Sequence, residues 1–62
     1  MKKEEILECM CDRNSKGDKS VCFGGFTIDY LKDRDKFYLI FPAGSVREIE
    51  MATAAKYMGL IK

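Results

Sequence analysis

Between Phe26 and Phe41 the chain reads FTIDYLKDRDKFYLIF, two runs in which large apolar residues recur at every second position, separated by four charged residues. A period of two is the signature of a β-strand with one buried face, so the pattern predicts a hairpin with its turn at Lys32, Asp33, Arg34 and Asp35. Leu31 then faces Lys36, and the register sets Phe26 opposite Phe41, Ile28 opposite Leu39 and Tyr30 opposite Phe37. These six side chains share one face. The other carries Thr27, Asp29 and Leu31 against Ile40, Tyr38 and Lys36, a mixed surface suited to water or to a partner. A slip of one residue mixes the two sets, so the apolar pattern itself selects this register. The turn has no Asn-Gly or Asp-Gly pair, which points to a loop longer than two residues.

The flanks read as helices. Ile6, Leu7, Met10 and Cys11 fall on one stripe of a 3.6-residue period, predicting a helix over residues 3–14 with Glu4 and Glu5 in its first turn and Arg13 in its last. The turn-forming run Asn14 to Lys19, NSKGDK, ends it. Val21 and Phe23 alternate as in a strand, but with parity opposite to Phe26, Ile28 and Tyr30, so a bulge at Gly24-Gly25 is expected to restore the phase. Pro42 ends the second run. Ser45-Val46-Arg47-Glu48 fits a capping box, predicting a helix from Val46 to about Met58, with Gly59 as its left-handed C-terminal cap and Leu60 as the accompanying apolar contact. That helix shows two apolar arcs: Val46, Ile49, Thr53 and Tyr57 on one, and Met51, Ala52, Ala54, Ala55 and Met58 on the other. The second arc implies burial between layers or against another subunit. The expected architecture is a small two-layer α+β domain over residues 1–62, α-β-β-α, with both helices on the six-residue apolar face.

Composition adds few functional constraints. Eleven Lys and Arg against ten Asp and Glu give a net charge of +1, with no global attraction to nucleic acid or acidic lipid. The N-terminus lacks a signal-like apolar run, and no stretch approaches the length of a membrane span, which leads to the expectation of a cytoplasmic protein without membrane association. Cys9, Cys11 and Cys22 are odd in number, as suits free thiols in a reducing compartment, and they read as small buried hydrophobes. Without histidine, a metal site would have to draw on Asp12 or a second subunit, and Cys-x-Cys with one further Cys eleven positions on matches no zinc spacing. No cofactor or metal is expected.

No nucleophile is paired with a base by the sequence pattern, and Asp29 reads as a cross-strand charge partner, so a non-enzymatic protein is expected. Ala52-Thr53-Ala54-Ala55-Lys56-Tyr57-Met58-Gly59-Leu60 resembles the first helix and turn of helix-turn-helix DNA-binding domains. That resemblance implies a recognition helix after the turn. Here only Ile61 and Lys62 follow, and the expectation is an alanine-rich helix with a glycine cap. The leading functional expectation is a small interaction module, a regulator or inhibitor of phage or mobile-element type. It would bind a protein partner through Asp29, Leu31, Tyr38 and Ile40 on the mixed face. Homo-oligomerisation is expected because a 62-residue core is thin. The alternative is a dimeric nucleic-acid-binding regulator using Arg13, Lys16, Lys19 and Lys62.

Overall fold

In the computed structural model, which describes residues 2–61, helix α1 (Lys3–Glu8) is followed by strands β1 (Cys11–Asp12), β2 (Lys19–Phe23), β3 (Phe26–Leu31), β4 (Lys36–Ile40) and β5 (Val46–Ile49), and then by helix α2 (Met51–Tyr57). Each strand pairs antiparallel with the next, giving a five-stranded meander in the order β1-β2-β3-β4-β5. The α+β class holds, with a central hairpin and flanking helices, and the sheet is wider than the alternating pattern indicates.

The β3–β4 register is the one the apolar pattern selects: Ile28 faces Leu39, Tyr30 faces Phe37 and Leu31 faces Lys36. Its loop is Lys32 to Asp35, closed by the Arg34 N–H donating to the Leu31 carbonyl and the Asp35 N–H donating to that of Lys32. Asp35 takes φ 53°, a left-handed conformation that Asp tolerates better than most residues. Pairing ends at Thr27 and Ile40, so Phe26 pairs with Phe23 instead, and Phe41 lies beyond the end of β4.

One face of the sheet carries the core. Ile28, Tyr30, Phe37 and Leu39 are buried there with Ile6 of α1, Met10, and Ala54 and Ala55 of α2, and Val21, Phe26, Phe41 and Ile49 pack at the margin. Both helices therefore contribute to the same layer, as the pattern predicts. Of the alanines of the second arc, Ala54 and Ala55 face this chain's own core and Ala52 is exposed.

Three expected elements are corrected. Residues 3–14 do not form one helix: α1 stops at Glu8, and Cys11 and Asp12 pair with Ser20 and Lys19 as a short hairpin. The turn residues decide this. The Arg13 N–H donates to the Asp18 carbonyl, Asn14 accepts from the Lys16 N–H through its side chain, and its amide donates to Asp18. These local bonds compete with helical ones.

At Gly24-Gly25 there is no bulge but a two-residue turn, with Val21 facing Ile28 and Phe23 facing Phe26. A two-residue reversal restores the phase unaided, because residues directly opposite each other across an antiparallel pair share a face.

Residues 46–49 form strand β5 rather than the first turn of a helix, and Ser45 caps nothing; the residue preceding α2 is Glu50, which makes no side-chain capping bond. Pro42, Ala43 and Gly44 form a tight loop. The Gly44 N–H donates to the Phe41 carbonyl, the Phe41 N–H donates to that of Ser45, and Gly44 takes φ 96°. This is the three-residue hairpin connection with a left-handed glycine. A capping box contributes about 1 kcal/mol. A ladder of four residue pairs with β4, which also places Ile49 at the core margin, outweighs it. The C-terminal cap of α2 is as predicted: Gly59 takes φ 77°, its N–H donates to the Lys56 carbonyl, and the Leu60 N–H donates to that of Ala55.

Candidate interaction surface

Opposite the core, the sheet presents a face with no helix among the described residues. β3 contributes Thr27, Asp29 and Leu31; β4 contributes Lys36, Tyr38 and Ile40; β2 adds Ser20 and Cys22, and β5 adds Val46 and Glu48. The four residues expected to bind a partner, Asp29, Leu31, Tyr38 and Ile40, all lie on this face, on adjacent strands and each half-buried. Tyr38 stands between Asp29 on one side and Glu48 on the other, and Ile40 stands between Thr27 and Val46. The pleat places them together, since successive residues of a strand point to opposite faces and Phe37 and Leu39 fill the core between them.

The charges on this face are largely neutralised in pairs. Arg13 donates to Asp29 at 3.0 Å, leaving that carboxylate 13% exposed, and Lys36 donates to Glu48 at 3.2 Å. Arg13 thus covers Asp29 instead of ending a helix, and Asp29 does not pair diagonally with Lys36. The Arg34 guanidinium makes a long contact of 3.5 Å to the Tyr38 hydroxyl. What remains for a ligand is a short apolar stripe, Leu31, Tyr38, Ile40 and Val46, bordered by two ion pairs. Val46, 58% exposed, joins the four residues that the alternating pattern predicts. The Pro-Ala-Gly turn ahead of two β-branched residues was the signal for it.

A second cluster lies beside the β3–β4 loop. Lys3 Nζ and Tyr30 Oη both donate to Asp35 Oδ1, at 2.7 and 2.6 Å, next to a depression of about 380 Å³ that also takes in Phe37, Glu48 and Met51. The hydrogen bond to Asp35 raises the Lys3 ammonium above its ordinary value, and the bonds from Lys3 and Tyr30 lower the Asp35 carboxyl. Burial, followed by the bond to Asp35, raises the Tyr30 phenol. Each group is thereby held in its ordinary neutral-pH form. General acid–base chemistry calls for the opposite, a group moved towards the working pH. The cluster ties α1 to the hairpin loop.

The three cysteines are exposed, contrary to the expectation that they are buried. Cys11 and Cys22 lie on the open face of β1 and β2, and Cys9 lies just past the end of α1. Thr27 Oγ1 approaches Cys22 Sγ at 3.7 Å. Among the described residues no three Cys, Asp or Glu side chains converge as metal ligands would. Of the cations expected to bind nucleic acid, Arg13 is paired with Asp29 and Lys19 with Asp12, Lys16 stands in the β1–β2 loop, and Lys62 lies outside the described residues. Among the described residues no helix is long and apolar enough to cross a membrane. Tyr38 is half-buried, and the more exposed aromatics are Phe23 and Tyr57. No protein family, characterised protein or solved structure matches the chain.

Proposed function

We propose that the chain is a non-enzymatic protein-interaction module, a small regulator or inhibitor, that binds its protein partner through the open sheet face around Tyr38 and Ile40. The observation that supports this is the apolar stripe of Leu31, Tyr38, Ile40 and Val46 on the face without a helix. Tyrosine supplies contact area together with a hydroxyl, and a compact apolar centre with a polar rim is the composition of an interaction hot spot. The flanking pairs Arg13–Asp29 and Lys36–Glu48 form such a rim. Three exposed, unbridged thiols suit a reducing cytoplasm, the compartment we assign to it. Nucleic-acid binding is disfavoured because two of the four cations it would use are already paired within the chain.

Site-specific photo-crosslinking tests this reading. A photoreactive phenylalanine analogue is placed at Tyr38 or, as control, at Glu5 on the exposed side of α1, and the chain is irradiated in lysate of its host. A discrete adduct from position 38 that is absent from position 5, and that is competed away by the unlabelled chain, is expected. Identical adducts from both positions, or none from position 38 with the fold intact, would refute a partner site on the sheet face.

A further inference from the structure

Charge is distributed unevenly along the strand direction. The loops at one end of the sheet, Asp12–Lys19 and Lys32–Lys36, hold five charged residues each. At the opposite end, the β2–β3 and β4–β5 turns lie within residues 20–28 and 38–46, and neither segment contains a single Asp, Glu, Lys or Arg. That end is aromatic: the Phe23 and Phe26 rings lie 4.9 Å apart, and the Phe26 ring meets that of Tyr57 edge-on at 5.3 Å. Phe23 is 38% exposed and Tyr57 45%. Beside them is a depression of about 300 Å³ bounded by Phe23, Phe26, Thr27, Ile40, Phe41 and Pro42.

We propose that this end, whose two turns carry no charge, is where two copies of the chain associate, with Phe23 of each copy seated in the depression bounded by Phe41 and Pro42 of the other. Symmetry favours a second copy as the occupant. Across a two-fold axis every residue near the axis meets its own counterpart, so a self-associating patch must tolerate like against like. The free edge of β5 does not. In the two registers nearest full overlap that keep the faces continuous, antiparallel pairing of Val46–Ile49 with itself sets Arg47 against Arg47 or Glu48 against Glu48. The two turns bring no ion against its like, since residues 20–28 and 38–46 carry no charge. It also carries a projecting ring and a depression side by side, the reciprocal arrangement an isologous contact requires.

The β2–β3 turn supplies a clean test. Gly24 and Gly25 lie outside the left-handed region, and a Cβ on either would meet no atom within 4 Å, so the isolated chain tolerates side chains there. Sedimentation equilibrium of the full chain across the micromolar range is expected to show reversible dimerisation. Gly25→Glu, which sets carboxylate near carboxylate across the axis, is expected to weaken it by about tenfold or more with the circular dichroism unchanged. Phe23→Ser should act in the same direction. Tyr38→Ala, on the open face, should leave dimerisation unaltered, which keeps this inference separable from the partner site. A wild-type chain that stays monomeric, a folded Gly25→Glu variant that dimerises as well as wild type, or dimerisation lost in Tyr38→Ala and kept in Gly25→Glu would each overturn the proposal.

Discussion

Asp35 combines a demanding backbone conformation with two side-chain bonds. It adopts φ 53° and accepts on one oxygen from both Lys3 and Tyr30, joining α1, β3 and the β3–β4 loop at one atom. Its carboxyl is lowered in the folded chain, first by the bond from Lys3, so the stability it contributes is present above the unfolded value of 3.8 and is lost as pH falls through the lowered one. Asp18 is also lowered, first by the Lys32 N–H and then by Asn14, and adds to the same acid limb. Lys3 and Tyr30 are raised, so their contributions are complete below their unfolded values of 10.5 and 10.0 and are lost as pH rises beyond them. The folded chain is therefore expected to be most stable on a plateau between these limits. Asp35→Asn keeps a residue that tolerates positive φ and removes the charge. Urea unfolding at a series of pH values should show a shallower acid limb for this variant, with Asp18 still contributing to the slope. An acid limb identical to wild type would show that Asp35 makes no such link.

Among the elements, those fixed by long-range alternation were legible in the sequence, and those fixed by short turns were not. The β3–β4 register follows from Ile28, Tyr30, Phe37 and Leu39 with the position of the charged turn, because a one-residue slip parts them onto opposite faces. The Gly59 cap is readable because its residues are local and the motif leaves no comparable alternative. The open face with Asp29, Leu31, Tyr38 and Ile40 was equally legible, being the complement of the core pattern. Its β5 border was hidden because Ser45-Val46-Arg47-Glu48 carries a real helix-start signal that loses to strand pairing. The exposed thiols were hidden for a related reason: the face of Cys11 depends on a β1–β2 hairpin set by Asn14 and Asp18, and that of Cys22 on the two-residue turn at Gly24-Gly25. Paired substitutions separate the two helix ends. Ser45→Ala should change stability by less than about 0.5 kcal/mol, since its hydroxyl caps nothing, where a working cap would cost about 1 kcal/mol. Gly59→Ala should cost about 1–2 kcal/mol because alanine must enter the left-handed region. Chemical denaturation of the two variants reads both; a larger loss for Ser45→Ala than for Gly59→Ala would restore the helix at 46–58.

In the molecule as a whole, the two faces of one sheet are unlike. Two short helices and the 9–10 connection close one face, and the other is left to ion pairs and the Leu31, Tyr38, Ile40 and Val46 stripe. Placing the partner site on that face and self-association at the end with the uncharged turns lets one small fold carry both without competing for the core. Strand β4 tests this directly, because neighbouring residues on it belong to opposite faces. The measurement is equilibrium urea unfolding of two double variants, Phe37→Ala with Leu39→Ala and Tyr38→Ala with Ile40→Thr. The first pair removes two buried side chains at roughly 2–5 kcal/mol each, comparable with the whole stability of a domain of this size, and is expected to leave no cooperative transition. The second pair is expected to keep a cooperative transition, losing no more than about 2 kcal/mol. Collapse of the Tyr38→Ala, Ile40→Thr variant, or survival of the Phe37→Ala, Leu39→Ala variant, would show that the faces are assigned the wrong way round and that the surface proposed for a partner belongs to the core.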